Sequence, residues 1–216
     1  GDSVSGESRG MFEPHEGYQR LIEHVQQEQP TLIILAYGNN EAFGSEEGLE
    51  KFAAQLKKLA RDLSADGRRF VFESERSGYK NLWIYDLDAT GDNPVRLTEG
   101  PWNDGSPCWS SDGAWVAYES DRQASGGQEI WVSPGDGGEA IRLTTGGGGI
   151  YHRTADFSPD SATLVFESNR EEGHSALFTL PVTGGEPVRI TPLANYEGHP
   201  TWSPYGSEIA YEGSGA

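Results

Sequence analysis

The chain is poor in features that would each point to a particular class of protein. It has one cysteine, Cys108, so no disulfide can form within it. Lys and Arg number 16 against 34 Asp and Glu, and the net charge of −18 disfavours binding to nucleic-acid phosphates or to an anionic membrane. The longest apolar run, residues 32–37, is too short to cross a bilayer. The composition therefore predicts an acidic protein with no nucleic-acid partner and no membrane insertion.

Signals for export, cofactors and metals are also missing. The opening Gly1-Asp2-Ser3 has no basic region or apolar core, so no signal peptide is expected in this chain. The glycine run 146–149 follows a strand pattern and lacks the helix and Lys-Ser/Thr of a phosphate-binding loop. Asp86, Asp88 and Asp92 do not have the spacing of a calcium loop. We expect no cofactor and no metal site.

What the chain does contain is a repeated anchor sequence. The anchors are Ser64-Ala-Asp-Gly67, Ser110-Ser-Asp-Gly113, Ser158-Pro-Asp-Ser161 and Ser203-Pro-Tyr-Gly206. They recur every 45 to 48 residues, a period typical of four-stranded propeller blades. The second residue can fix φ as proline, the third can cap the turn, and the last must tolerate a positive φ, so each anchor predicts a tight turn.

The same series of strand patterns follows the anchors. Directly after each anchor comes the second strand of the series, which is rich in β-branched and aromatic residues. A third strand follows, and a Gly-rich turn then leads to a short outer strand. The predicted strands cover residues 69–74, 81–85, 95–98, 115–120, 129–132, 141–144, 163–168, 176–180, 188–191 and 208–212. Before the next anchor, an inner strand ends in Cys108-Trp109, Asp156-Phe157 or Thr201-Trp202, and its aromatic residue is expected to pack between neighbouring blades.

This series resembles the Pro-Asp type of WD-like repeat found in TolB and in the propellers of some peptidases. The resemblance covers residues 64–216 and implies a mainly β fold, a partial TolB-like β-propeller of three to four blades. The predicted blades are residues 64–109, 110–157, 158–202 and, incomplete, 203–216. Such a partial propeller leaves open strand edges, through which the chain could self-associate.

The first 63 residues have a helical pattern instead. Apolar residues recur at helical spacing over 18–25 and 49–63, on either side of the buried strand pattern 32–37, so an incomplete α/β segment is expected. The runs Gly1–Arg9, Phe12–Pro14 and Tyr37–Phe43 resemble the middle of an SGNH (GDSL)-type hydrolase. The resemblance implies oxyanion-type roles for the Gly1 N–H and the Asn40 side chain. The family's nucleophile and Asp/His blocks have no counterpart, so no complete catalytic set is predicted.

The propeller resemblance implies a binding module that recognises a protein or peptide. Residues just before each inner strand occupy equivalent positions and should line one face. The predicted face comprises Trp102, Asn103, Asp104, Tyr151, His152, Arg153, Tyr196, Glu197 and His199.

Two alternatives to this binding module remain open. One is an ester hydrolase whose missing blocks lie outside this chain, and the other is a non-functional fusion remnant of two incomplete domains. Relatives of both domain types are common among exported bacterial proteins, so a larger periplasmic or extracellular parent protein is expected.

Overall fold

Four antiparallel sheets succeed one another along the chain in the computed structural model. The structure describes residues 69–86, 94–123, 126–171, 173–192 and 196–214. Within these ranges the chain forms only strands, turns and connecting segments. The predicted α/β segment, with the oxyanion candidates Gly1 and Asn40, lies outside the described residues.

The strands succeed one another as a regular meander. They are β1 (Arg69–Ser74), β2 (Asn81–Asp86), β3 (Val95–Arg96), β4 (Asp104–Trp109), β5 (Trp115–Ser120), β6 (Glu129–Pro134), β7 (Ile141–Arg142), β8 (His152–Phe157), β9 (Thr163–Glu171), β10 (His174–Pro181), β11 (Val188–Arg189), β12 (Glu197–Trp202) and β13 (Ile209–Gly213). Strands β1–β3 form blade 1, β4–β7 blade 2, β8–β11 blade 3 and β12–β13 blade 4, each sheet in chain order. The strands follow one another in the predicted series, but β4, β8 and β12 pair with the strands after the anchors, so each of these three sheets begins before its anchor and not at it.

The anchor sequences form the turns between the first and second strands of a blade. In blade 2 the Ser110 hydroxyl lies 2.6 Å from Asp112 Oδ1 and accepts a hydrogen bond from the Trp115 N–H at 2.9 Å. Asp112 Oδ1 also accepts the Ala114 N–H at 3.0 Å, and Gly113 has a φ of 70°. The same bonds recur in blade 3 at Ser158, Asp160, Ala162 and Thr163. The repeated Ser and Asp therefore stabilise hairpins.

The outer strands are shorter than the sequence predicts. Strands β3, β7 and β11 have two residues each. Beyond them a threonine hydroxyl, and not a main-chain carbonyl, accepts the next N–H of the neighbouring strand. The hydroxyl oxygens of Thr98, Thr144 and Thr191 accept the N–H groups of Leu82, Ile130 and Leu177 at 2.9 to 3.0 Å. A side chain that replaces the main-chain acceptor ends the regular pairing.

The apolar core lies between blades. Leu82 of blade 1 packs with Val116, Tyr118 and Trp131 of blade 2, and Trp109 lies against this cluster. A second cluster joins blades 2 and 3; its buried members are Ala117, Ile130, Val132, Ala155, Phe157, Leu164, Phe166, Ala176, Phe178 and Leu180. The aromatic residues at the ends of the inner strands β4 and β8 therefore pack where predicted. Each blade is stabilised by burying its faces against its neighbours.

Candidate binding face

Each of the three inner strands that the structure describes bends at its third residue. Ser106, Thr154 and His199 occupy this position in β4, β8 and β12, and their φ angles are 49°, 50° and 49°. The pairing with the second strand shifts register around each of them. A positive φ is uncommon for a residue with a side chain, so its repetition in three blades marks a feature of the fold.

A glutamate from the preceding blade contacts this bend. Glu73 Oε1 of blade 1 accepts the Ser106 N–H at 2.6 Å, and Glu119 Oε2 of blade 2 accepts the Thr154 N–H at 3.4 Å. Burial raises the pKa of Glu119, and the Thr154 N–H partly offsets the rise. In blade 3 the equivalent Glu167 lies against the inner strand of blade 4, where a Cβ on Gly198 would collide with its carboxylate. These glutamates link neighbouring blades at one level of the sheets.

The main chain makes a second link between blades, at the start of the inner strands. Lys80 O accepts the Asp104 N–H at 2.8 Å, and Gln128 O accepts the His152 N–H at 2.7 Å. Side chains also fix the preceding segments. Asp121 accepts the Asn103 main-chain N–H at 2.8 Å, and Asn169 Oδ1 accepts the Tyr151 N–H at 2.8 Å. The structure therefore holds these segments at the same end of successive blades.

We call the surface at this end the strand-start face and define it by the accessible residues Trp102, Asn103, Tyr151, Arg153, Tyr196 and His199. The sequence analysis placed all nine predicted residues in loops before the inner strands. Trp102, Asn103, Tyr151 and Tyr196 do precede these strands, whereas the other five lie within them. Asp104, His152 and Glu197 are the first residues of β4, β8 and β12, and their side chains are buried.

Two of the buried side chains contact charged neighbours. Asp104 Oδ1 lies 2.8 Å from Arg122 Nη2, and the Arg122 guanidinium stacks on the rings of Trp102 and Trp131. Asp104 therefore holds the Arg122 guanidinium against the Trp102 ring. His152 Nε2 lies 3.8 Å from Glu129 Oε2.

Arg153, Tyr151 and Tyr196 lie around the buried carboxylate of Glu167 on the strand-start face. The Arg153 guanidinium carbon lies 3.8 Å from the centroid of the Tyr151 ring, and Arg153 Nη2 lies 3.4 Å from Glu167 Oε1. Partial burial acts to lower the pKa of Arg153, but Tyr151 and Glu167 outweigh it and the pKa is raised. Burial and the Glu167 charge raise the pKa of Tyr196. Arg153 is thus oriented while 38% of its side chain stays exposed.

Next to Tyr151 lies an open cleft of about 720 Å³, which we call the polar cleft. Its polar walls are Lys80, Asn103, Asp121 and Gln128, Tyr151 forms one side, and glycines supply the rest. One of these glycines, Gly127, allows a close approach of two segments, because a Cβ there would collide with the Ile150 carbonyl oxygen. The approach fixes the position of Tyr151.

Replacing Gly127 with alanine is therefore expected to destabilise the fold by about 1 to 3 kcal/mol, the usual cost of overpacking. The added methyl meets main chain, which cannot move aside as a flexible side chain can. Urea denaturation would measure the loss. Gly147→Ala is the matched control, since its Cβ would meet nothing within 4 Å. Equal stability of the two variants would contradict the close approach at Ile150.

The sequence analysis did not identify the linking glutamates or Arg122 as site residues. Their signal was present as the tripeptide aromatic-Glu-Ser, which recurs at 72–74, 118–120 and 166–168 and is followed each time by an arginine two residues later. Strand propensity does not explain a charged residue repeated at one position of a strand. Such a repeat points to a partner outside its own blade.

The described residues contain neither a membrane-spanning helix nor a metal-binding cluster. No helix among them has the length and apolarity needed to cross a membrane. In the same ranges, no group of three or more His, Cys, Asp or Glu side chains is placed to hold a metal ion.

Comparison with known proteins identifies relatives of this arrangement. The family model of the dipeptidyl peptidase IV (DPP IV) N-terminal region matches residues 25–171 and so extends across the predicted boundary at residues 63/64. An uncharacterized protein of Agrobacterium fabrum is 27% identical over 157 residues, which are 68% of this chain and 52% of the relative. The chain thus spans about half the length of that relative.

TolB proteins are similar in sequence and in structure. The Tol-Pal system protein TolB of Desulfosudis oleivorans is 31% identical over 112 residues, 48% of this chain and 23% of the relative. The solved structure of a candidate TolB from Agrobacterium tumefaciens superposes with a TM-score of 0.60 at 27% identity, covering 70% of this chain and 52% of that one. The described blades therefore have the TolB-like β-propeller fold.

Proposed function

Because this chain belongs to the family of the dipeptidyl peptidase IV N-terminal region, we propose that its blades are a scaffold that binds a protein or peptide on the strand-start face. The observation that carries the proposal is the Tyr151–Arg153–Tyr196 cluster. Tyrosine, tryptophan and arginine are the side chains that most often dominate the energy of protein interfaces. Here Arg153 is stacked on Tyr151 at 3.8 Å and held by the buried Glu167, so little side-chain freedom is left to lose on binding.

The rest of the strand-start face supports the same proposal. Trp102 precedes β4 and Arg153 lies at the start of β8, and the main-chain hydrogen bond from the His152 N–H to Gln128 O links these two blades. A surface of large side chains on a rigid scaffold is well suited to a partner that needs little rearrangement to dock. The similarity to a protein of the Tol-Pal system is consistent with a role in protein assembly.

Arg153→Ala and Tyr196→Ala are each expected to weaken binding of a partner peptide about tenfold or more. The peptide would be selected from a displayed random library on the whole chain, and its Kd would be measured by fluorescence anisotropy. Tyr205→Ala is the matched control, because Tyr205 is 92% exposed and lies in an anchor turn, away from the inner-strand starts. A peptide whose affinity falls in Tyr205→Ala and not in Arg153→Ala would place the binding surface elsewhere.

Three finer points belong to the same proposal. We place the parent protein in the periplasm or outside the cell, regard this chain as part of it, and assign no complete catalytic machinery to the chain. The esterase hypothesis rests on Gly1 and Asn40, which lie outside the described residues. Turnover of p-nitrophenyl acetate that is lost in Asn40→Ala would favour the hydrolase over the scaffold.

A further inference from the structure

Two charged side chains line the polar cleft, Lys80 and Asp121, and each has a partner beside it. Lys80 Nζ lies 3.0 Å from Glu73 Oε2, so its charge is compensated beside the cleft. The Asp121 carboxylate accepts both the main-chain N–H and the side-chain Nδ2 of Asn103, at 2.8 and 2.9 Å. The Lys80 charge is therefore paired, whereas the Asp121 carboxylate stays negative and is satisfied by neutral donors.

Two side-chain amides keep hydrogen-bonding capacity. Gln128 Nε2 donates to Glu119 Oε1 at 3.2 Å, and Asn103 Oδ1 accepts the Lys80 N–H at 3.4 Å. A primary amide has two N–H donors and an oxygen with two lone pairs. Each of these side chains thus retains at least one donor and one acceptor for a ligand.

A ligand group that matches this pattern must donate and accept at neighbouring atoms. In an extended peptide the N–H and C=O of one residue point to the same side, so one primary amide can bond both. The volume of about 720 Å³ is within the range of ligand-binding clefts. Open space lies above Gly126 and Gly149, where a Cβ would meet nothing within 4 Å, so a main chain can approach closely.

We propose that the polar cleft binds an extended segment of the partner through its main-chain amide groups. Asn103 and Gln128 form the hydrogen bonds, and the Tyr151 ring packs against the side of the segment. This inference rests on the proposed scaffold function and assigns one part of the strand-start face to it. The Tyr151 ring borders both the cleft and Arg153, so a segment in the cleft continues directly onto the Arg153 cluster.

The test is an N-methyl scan of a selected peptide, with binding measured by anisotropy to the whole wild-type chain and to Gln128→Ala. Methylation removes one main-chain donor without adding charge. At the position that meets Gln128 we expect an affinity loss of about tenfold, the effect of one well-formed hydrogen bond. Gln128→Ala should bind the unmethylated peptide about tenfold more weakly and show no further loss on methylation, since both changes remove the same bond.

The possible outcomes separate this inference from the scaffold proposal. Peptides that lose affinity in Arg153→Ala but bind Gln128→Ala normally, with no sensitive position in the scan, would overturn the cleft assignment and leave the scaffold standing. Failure to select any binding peptide would overturn both. Binding of maltohexaose that is lost in Gln128→Ala, without peptide binding, would identify the cleft as a site for neutral sugars instead.

Discussion

Glu129→Ala is expected to lower the free energy of unfolding by about 3 to 5 kcal/mol, the usual cost of breaking a buried ion pair. The side chain of Glu129 is fully buried. Its carboxylate accepts hydrogen bonds from Arg142 Nη2 at 2.9 Å, Thr144 Oγ1 at 2.8 Å and the Gly146 N–H at 2.6 Å. Alanine would leave all three donors without this acceptor. Urea denaturation at neutral pH would measure the loss.

The equivalent positions of other blades show why the loss should be large in blade 2. Asn81 occupies this position in blade 1 and still accepts Arg96 at 2.5 Å. Ala176 occupies it in blade 3, where Arg189 pairs instead with the exposed Glu171 at 2.8 Å. In blade 3, where alanine stands at this position, a different carboxylate pairs with the arginine.

Two further substitutions serve as controls for Glu129→Ala. Glu129→Asn should cost less than Glu129→Ala, because asparagine can accept the arginine as Asn81 does. Glu186→Ala, at an exposed site, should change stability by less than about 0.5 kcal/mol. A loss below about 1 kcal/mol for Glu129→Ala would show that water replaces the carboxylate at little cost.

Stability should also fall as the pH drops from neutral toward 4, because of His152. Burial lowers the pKa of His152 from 6.5 to about 4, while the nearby Glu129 raises it and Arg170 and Arg142 lower it. Between pH 6.5 and about pH 4, His152 is protonated in the unfolded chain but not in the folded chain. The contribution of His152 is therefore complete above pH 6.5 and is lost progressively below it, by about 3 kcal/mol in all.

A His152→Gln variant isolates this contribution from those of other groups. Burial raises the pKa values of Glu119 and Asp156, and raised carboxyl pKa values act in the opposite direction at acid pH. These groups are present in both proteins, so the difference in urea midpoint between wild type and variant reports His152. The difference should change steadily between pH 6.5 and 4.5. A difference that is independent of pH would mean that His152 takes up its proton as readily in the folded chain as in the unfolded chain, and would contradict the lowered pKa.

The repeat and most strands could be predicted because local physics determines them. β1 and β5 begin and end at the predicted residues, since alternating β-branched and aromatic residues between turn sequences define a strand. The outer strands were predicted two residues too long. Leu97 and Thr98 have strand propensity, but the Thr98 hydroxyl replaces a main-chain acceptor, and sequence patterns cannot show that choice.

The position of the binding face could be predicted, but which of its nine side chains are exposed and which are buried could not. The repeat correctly indicated which positions are equivalent. It could not indicate the bends at Ser106, Thr154 and His199, because residues with side chains rarely adopt a positive φ and nothing local marks them. Each bend shifts the register of its strand, so the simple alternation of faces does not predict which side chains are buried.

The links between blades were beyond local prediction for a different reason. Glu73 and Ser106 are 33 residues apart in the chain, and Glu119 and Thr154 are 35 apart. The neighbouring residues explain why each glutamate lies in a strand, but they do not explain which group its carboxylate binds. Its partner belongs to the next blade, so its role becomes visible only when the blades are assembled.

The central claim is that partners bind at the strand-start face, and hydrogen–deuterium exchange of the whole chain with a selected peptide bound tests it most directly. The account predicts slower exchange in residues 102–103, 149–153 and 196–199, with no change in the anchor turns 110–113, 158–161 and 203–206, which lie at the other end of the inner strands. Protection confined to the anchor turns, with unchanged exchange around Tyr151 and Arg153, would contradict it.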